Sequence, residues 1–285
     1  MNRIKIILTG ATGFIGKNLL NYFENLNYEI IKLDSSNGDI SINKTWENLP
    51  AVDIVIHLAG LTFVPKSWDN PTEFMQINFM GTLAALNFCK KHNSKFIFLS
   101  SYLYGNSGNL PITENSELIP TNPYALSKKL SEDLCKFYSD NFKVKVVILR
   151  PFNVYGPGQN TDFLIPSIIS QAINLKFIKV RDLKPKRDYI YVEDLIIAIE
   201  KSTTIDLDFI IMNIGTGLSY SVLDIINFIR NQVDKNIKIE SLEIERKAEI
   251  LDSKADISKA KLVLNWTPKW SLEKGLEKLV IDYNK

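Results

Sequence analysis

Apolar residues gather along the chain in short unbroken runs: Ile4 to Thr9, Glu29 to Leu33, Asp53 to Leu58, Phe96 to Ser100 and Val144 to Leu149. Runs of that length, without polar alternation, mark strands that are covered on both faces. Between them lie amphipathic stretches of helical length, Ile15 to Asn25, Pro71 to Asn93 and Pro123 to Asn141. Strand alternating with helix predicts βαβ units, whose parallel strands are joined by right-handed crossovers. The expected fold class is therefore α/β, a doubly wound parallel sheet with helices on both faces. After Arg150 the pattern loosens. Short strand-like runs (Phe177 to Val180, Ile210 to Ile214, Ile237 to Ile244) alternate with helical ones (Leu164 to Asn174, Val192 to Ser202, Ser221 to Gln232, Leu272 to Tyr283). The expected organisation is a first domain over residues 1–162, with 188–214 returning to it. A smaller α/β region over 163–187 and 215–285 would supply another wall for a site at the carboxyl ends of the strands.

A chain of 285 residues with 45% hydrophobic composition can build a core without disulfides or a structural metal. Cys89 and Cys135 sit in helix-like apolar patterns and read as small core residues, which suits a reducing, cytoplasmic compartment. The formal charge of +2 provides no basic field for a nucleic-acid partner. The first apolar run is too short to span a membrane, no signal peptide is visible, and no membrane partner is expected. His57 reads as a packed strand-end residue and His92 as a helix-end one, so no metal site is expected.

Gly10-Ala11-Thr12-Gly13-Phe14-Ile15-Gly16 follows the first strand at once and opens the first helix. In that context the glycines allow a tight turn, approach of a pyrophosphate to the backbone, and close helix–strand packing. The helix N-terminus adds unpaired N–H groups for an anion. The second strand ends in Asp34, where a carboxylate would accept hydrogen bonds from an adenosine ribose and repel a 2′-phosphate, favouring NAD over NADP.

Tyr124 and Lys128 lie four residues apart just after Asn122-Pro123, a helix-start signal, and so share one helix face. A cation there is expected to lower the phenol's pKa and make Tyr124 a general base. Tyr28 and Lys32 have the same spacing but fall on a strand, where four residues span about 13 Å and the groups cannot cooperate. The strand Phe96 to Leu99 delivers Ser100 and Ser101 to the same end of the sheet, where a hydroxyl could bond the oxygen being oxidised or reduced.

These residues resemble the extended short-chain dehydrogenase/reductase family, in its NAD-dependent nucleotide-sugar epimerase/dehydratase branch. The resemblance covers nearly the whole chain. Its pieces are TGATGFIG from Thr9, HLAG from His57, NFMGT from Asn78, SSYLYG from Ser100 and NPYALSK from Asn122. LRPFNVYGPGQ from Leu149, RDYIYVED from Arg187, NIGTG from Asn213 and NWTPKWSLEKGL from Asn265 follow. The resemblance implies a Rossmann domain holding NAD through Gly10, Thr12, Gly13, Phe14, Ile15, Gly16 and Asp34. Asp39 and Ile40 would lie at the adenine, and Leu58, Ala59 and Gly60 along the pyrophosphate and ribose. Asn78, Tyr124, Lys128 and Pro151 complete the implied cofactor contacts. Tyr124 would be the catalytic base, Lys128 its partner and Ser101 the hydroxyl residue. Counting back from Tyr104 would choose Ser100 instead. Ser100, Ser101, Asn153, Arg187 and Arg246 are the implied substrate contacts, the arginines suiting diphosphate oxygens.

The resemblance also bears on the reaction. Its dehydratases carry an Asp-Glu pair directly after the hydroxyl residue, whereas this chain has Tyr102 and Leu103, neither of which can do that acid–base work. A decarboxylase that uses a Glu there is disfavoured likewise, and the Cys pattern of 3,5-epimerases is missing. The expectation is an NAD-dependent nucleotide-sugar 4-epimerase. The alternative is a reductase or dehydrogenase of a nucleotide-linked 4-keto-6-deoxy sugar, and a non-catalytic NAD-binding sensor is a further reading. The partner is a nucleotide-diphosphate sugar, and the helices over 72–93 and 123–141 match those that pair in the family's homodimers.

Overall fold

Five strands carry the first half of the chain: β1 (Ile4–Thr9), β2 (Tyr28–Leu33), β3 (Ile54–His57), β4 (Lys95–Leu99) and β5 (Val146–Pro151). They lie in the order β5-β4-β3-β1-β2, with a sixth strand, Phe209–Ile214, outside β5. The computed structural model describes residues 3–106, 108–244 and 249–283. β1 pairs in parallel with both β2 and β3, β3 with β4, and β4 with β5. Every residue of β3 and β5 is buried, as unbroken apolar runs require. The winding reverses between β1 and β3, and at such a switch point the carboxyl ends of the strands splay apart and leave room for a ligand.

Two compact units are formed. The first comprises the described residues of Met1–Tyr104, Glu117–Pro151 and Ile196–Met212; the second comprises those of Gly105–Ser116, Phe152–Leu195 and Asn213–Lys285. In the first, Ile7, Val55, Phe96, Phe98, Val146 and Ile148 line one sheet face and meet Ala85, Phe88, Cys89, Cys135 and Tyr138 from the helices. Both cysteines are free and buried there. Phe96 and Phe98, two apart on one strand, project to the same face with ring centroids 6.0 Å apart.

The periodicity over 71–93 predicts one helix, and the structure divides it. α-helical Pro71–Phe74 and Gly81–His92 flank a π-helical segment, Met75–Met80. That wider turn re-aims a side chain, here Asn78, which is buried. The helix Pro123–Phe142 begins as its sequence requires: Pro123 stands in the first turn and the Asn122 side chain accepts the Ala125 N–H at 2.8 Å.

The second unit has a core of Ile168, Ile169, Ile225, Ile226, Ile229 and Leu276, with Tyr155, Tyr189 and Tyr191. Its order rests partly on the buried Asp188 carboxylate, which accepts the backbone N–H groups of Thr216 and Gly217 at 2.8 and 2.9 Å. No helix among the described residues is long and apolar enough to cross a membrane.

Candidate active site

β1 ends at Thr9 and the chain turns at once through Gly10 at φ +69°, a conformation that favours glycine. A Cβ there would also stand 2.7 Å from the Ala59 backbone nitrogen. The Gly13 N–H closes the turn onto the Gly10 carbonyl at 3.1 Å, and the helix Phe14–Phe23 follows. Gly16 is packed onto the turn from the helix side: a Cβ would lie 2.2 Å from the Gly10 carbonyl oxygen. The helix has no side-chain N-cap and no carboxylate in its first turn. Its first N–H groups and positive dipole end are thus not taken by the helix's own side chains. Thr12 and Gly13 are exposed there, with Phe14 and Ile15 half-buried.

Asp34 stands at the end of β2, accepting the Ser36 N–H at 2.9 Å and the Ser36 hydroxyl at 2.6 Å. These bonds hold its carboxyl below the usual carboxylate range, so it is ionised at neutral pH. Asp39 is turned onto Ser41 in the same way. Ile40 lies in the core, with its carbonyl accepting the Trp46 indole N–H at 2.9 Å.

The β3 end is tied to β1. Thr9 Oγ1 accepts the Ala59 N–H at 3.1 Å and lies 2.9 Å from His57 Nδ1, so Leu58, Ala59 and Gly60 run beside the glycine turn. His57 is wholly buried, and burial, with Lys128 nearby, pushes its pKa down to about 3; the ring is neutral. Asn78 then locks the segment to the next element. Its Oδ1 accepts the Leu61 N–H at 2.8 Å, and its Nδ2 donates to the Leu61 carbonyl at 3.1 Å and to Ser127 Oγ at 2.9 Å. The side chain of Asn78, expected at the cofactor, is thus engaged in binding Leu61 to the helix that carries Tyr124. Pro151 closes β5 and is buried.

At the end of β4 the two serines differ. Ser101 is half-buried and its hydroxyl bonds the Tyr124 phenol. Ser100 is 4% exposed and its Oγ is a buried hydroxyl with no hydrogen-bond partner among the described residues. Lys128 is 4% exposed, donates to the Leu99 carbonyl at 2.8 Å and lies 4.6 Å from the Phe98 ring centroid. The Tyr124 ring stands edge-on to Phe74, with centroids 6.4 Å apart.

One electrostatic expectation needs correction. Burial, with Tyr102 adding to it, pushes the Tyr124 phenol up to about 12, and only the Ser101 hydroxyl opposes this. Lys128 does not bring the phenol toward neutrality because its ammonium is turned onto the Leu99 carbonyl and the Phe98 face. Burial lowers Lys128 itself to about 8, against the opposing pull of Glu132.

The substrate residues expected in the second unit are engaged locally. Arg187 pairs with Glu249 and donates to the Ile250 carbonyl, while Asn153 Nδ2 donates to the Asp188 carbonyl at 3.2 Å. Arg246 lies outside the described residues. Sequence reading missed Glu132 and Arg150, which meet in a buried ion pair at 2.6 Å. The signal was present in the repeat of Tyr124, Lys128 and Glu132 every four residues along one helix face.

A glycine turn closed by backbone, an open helix N-terminus and an ionised carboxylate on the neighbouring strand end fit a dinucleotide. With a hydroxyl–phenol–ammonium trio on the next strand end and helix, they define a nicotinamide-dependent enzyme of the extended short-chain dehydrogenase/reductase type. Residues 6–215 match the model of the NAD dependent epimerase/dehydratase family, and the chain belongs to that family. It is 29% identical to the GDP-6-deoxy-D-mannose reductase of Pseudomonas aeruginosa, over 98% of this chain and 97% of that one. It is 32% identical to the UDP-glucuronate 4-epimerase of Thermodesulfobacterium geofontis, over 89% of this chain and 79% of that one. Among solved structures, the UDP-glucose 4-epimerase of Thermotoga maritima with UDP-glucose superposes at a TM-score of 0.91 and 26% identity, covering 99% of each chain. RMD of Pseudomonas aeruginosa, complexed with NADPH, superposes at 0.90 and 27% identity over 98% of each.

Proposed function

We propose that this protein inverts the C4 configuration of a nucleotide-diphosphate sugar, with NAD as its recycled cofactor. The observation that carries the reading is the Ser101–Tyr124 hydrogen bond at the strand ends, with Lys128 one turn along the same helix. When bound, the nicotinamide would accept a hydride from C4 and return it to the opposite face. Tyr124, a neutral phenol in the free protein, would act in its ionised form, its proton given up to solvent when the positive charge of the bound oxidised cofactor joins that of Lys128. Oη then takes the O4 proton and gives it back, while Ser101 orients O4. Lys128, anchored on the Leu99 carbonyl, supplies a fixed positive charge beside the segment that follows β3, 3.7 Å from where a Gly60 Cβ would stand. The two positions after Ser101 are filled by Tyr102 and the buried Leu103, which supports chemistry that needs one acid–base group rather than an elimination of water.

Asp34, ionised and fixed by Ser36, supports NAD over NADP. Asn153 and Arg187 remain the proposed diphosphate contacts, Arg187 through exchange of its Glu249 partner. A cytoplasmic homodimer completes the proposal, and the exposed Leu126 and Phe137 on the helix Pro123–Phe142 suit such an association.

The second reading, a reductase of a nucleotide-linked 4-keto-6-deoxy sugar, draws on the end-to-end likeness to a GDP-sugar reductase. Incubation with UDP-, dTDP-, CDP- and GDP-sugars, with products followed by NMR, separates the two. C4 inversion without added cofactor supports the epimerase. Turnover only with stoichiometric NAD(P)H replaces it with the reductase.

A further inference from the structure

Lys128 and Glu132 lie four residues apart on the helix Pro123–Phe142, and each is 4% exposed. Lys128 makes no direct ion pair among the described residues; its ammonium meets the Leu99 carbonyl and the Phe98 ring. Glu132, one turn on, is gripped by Arg150 from the end of β5. Nε donates to both carboxylate oxygens at 3.0 and 3.2 Å, and Nη2 donates to Oε2 at 2.6 Å. Nη1 of the same guanidinium donates to Tyr104 Oη at 2.8 Å, just beyond β4. Arg150 is 3% exposed and Tyr104 fully buried.

We propose that the buried Glu132–Arg150 pair is a positioning device that keeps Lys128 charged and seated on the Leu99 carbonyl. Packing alone gives no reason for the pair, because apolar residues of similar volume often stabilise a fold as well as a buried ion pair does. The two partners have separate jobs. Glu132 supplies the negative charge next to an ammonium that has left water. Arg150 compensates and fixes that carboxylate through its three guanidinium hydrogen bonds, since a buried charge without such a partner is costly.

The titratable and charged groups around Lys128 agree with this assignment. Tyr124 and Cys135, on its own helix, are neutral: burial raises both. His57, on β3, is held neutral. Arg150, on β5, is positive and already paired, and Tyr104 donates no charge of its own. Glu132 is thus the counter-charge in this set.

The purpose assigned to the pair rests on Lys128 serving Tyr124, but the coupling can be read without turnover. Protein labelled with 15N at lysine side chains is titrated by NMR, with Lys128→Arg assigning the signal. In wild type the Lys128 amine should titrate near 8. In Glu132→Gln its midpoint should fall by about one pH unit or more, and the basic limb of any measured kcat profile should fall with it. Glu132→Asp should recover part of both shifts. Should Glu132→Gln not fold, Glu132→Gln/Arg150→Gln replaces the pair with two neutral hydrogen-bonding groups and should show a fall in the same direction. An unchanged Lys128 midpoint in a folded variant overturns the proposal, even if the protein proves to be a 4-epimerase. A shifted midpoint in a protein that fails as an epimerase upholds the coupling and removes only the reaction.

Discussion

Gly16→Ala sets two effects of opposite sign against each other. Inside an exposed helix, alanine is favoured over glycine by about 1 kcal/mol. Here the added Cβ would stand 2.2 Å from the Gly10 carbonyl oxygen and 2.9 Å from the Ala11 backbone. Both are main-chain atoms of the cofactor turn and have no rotamer through which to escape. Relieving such overlap typically costs about 1–3 kcal/mol and displaces backbone, so the helix gain is offset or reversed. The variant should lose roughly 1–2 kcal/mol net. It should also bind NAD at least about tenfold more weakly, equivalent to about 1.4 kcal/mol, because the helix N-terminus is pushed off the turn. Gly81→Ala is the milder comparison: its Cβ would meet only side-chain atoms, Ile40 Cδ1 at 2.9 Å and Cγ1 at 3.1 Å, and no backbone. That variant should change stability by under about 1 kcal/mol. Urea unfolding gives the stabilities, and calorimetric titration gives the affinities. Gly16→Ala as stable as wild type, with undiminished NAD affinity, would refute the packing argument.

Other outcomes follow from the buried charges. Arg150→Met leaves Glu132 unpaired at 4% exposure and should destabilise by about 3–5 kcal/mol. The double variant Glu132→Leu/Arg150→Met should recover most of that loss in chemical denaturation. Lys128 is lowered from 10.5 to about 8, so folding below pH 8 carries the burden of a desolvated ammonium. Lys128→Met should therefore unfold at a higher temperature than wild type at pH 7 while losing activity, and an equal or lower Tm would contradict this. His57, lowered from 6.5 to about 3, binds its proton more readily in the unfolded chain. Its contribution to stability is complete above about pH 6.5 and is lost as pH falls toward 3, at up to about 1.4 kcal/mol per unit. In His57→Gln that part of the acid sensitivity should vanish, as read from denaturation midpoints at pH 4 and 7.

How much was legible in the chain depended on the range of the physics involved. Local signals placed the five parallel strands within one or two residues. β3 and β5 are buried throughout, as strands covered on both faces must be. β2, at the sheet edge, buries only Leu33 and exposes Glu29 and Lys32, so its expected cover on both faces is not found. The glycine turn was legible because Gly10 and Gly16 answer to backbone conformation and contact within a few residues. What escaped were contacts set by tertiary geometry. The helical pattern over 71–93 contained no mark of the π-helical turn that swings Asn78 inward. Counting along the chain could not separate Ser100 from Ser101, whereas the fold puts Ser101 against Tyr124 and buries Ser100 with no partner among the described residues. Glu132 and Arg150 are 18 residues apart and meet only when helix and strand pack. The sign of the Tyr124 shift was missed for the same reason: spacing shows that a lysine is near, not that its ammonium faces a carbonyl.

The central claim is that the Tyr124 phenol exchanges the proton of the sugar oxygen, and Tyr124→Phe tests it most directly. The variant removes one oxygen from a half-buried ring that keeps its edge-on contact with Phe74. With the C4-inverting substrate found for wild type, the rate of inversion should fall by at least about a hundredfold, the usual worth of a positioned acid–base group. NAD and nucleotide-sugar affinities should stay within a few-fold. A variant that binds both ligands and inverts C4 at the wild-type rate would contradict the account.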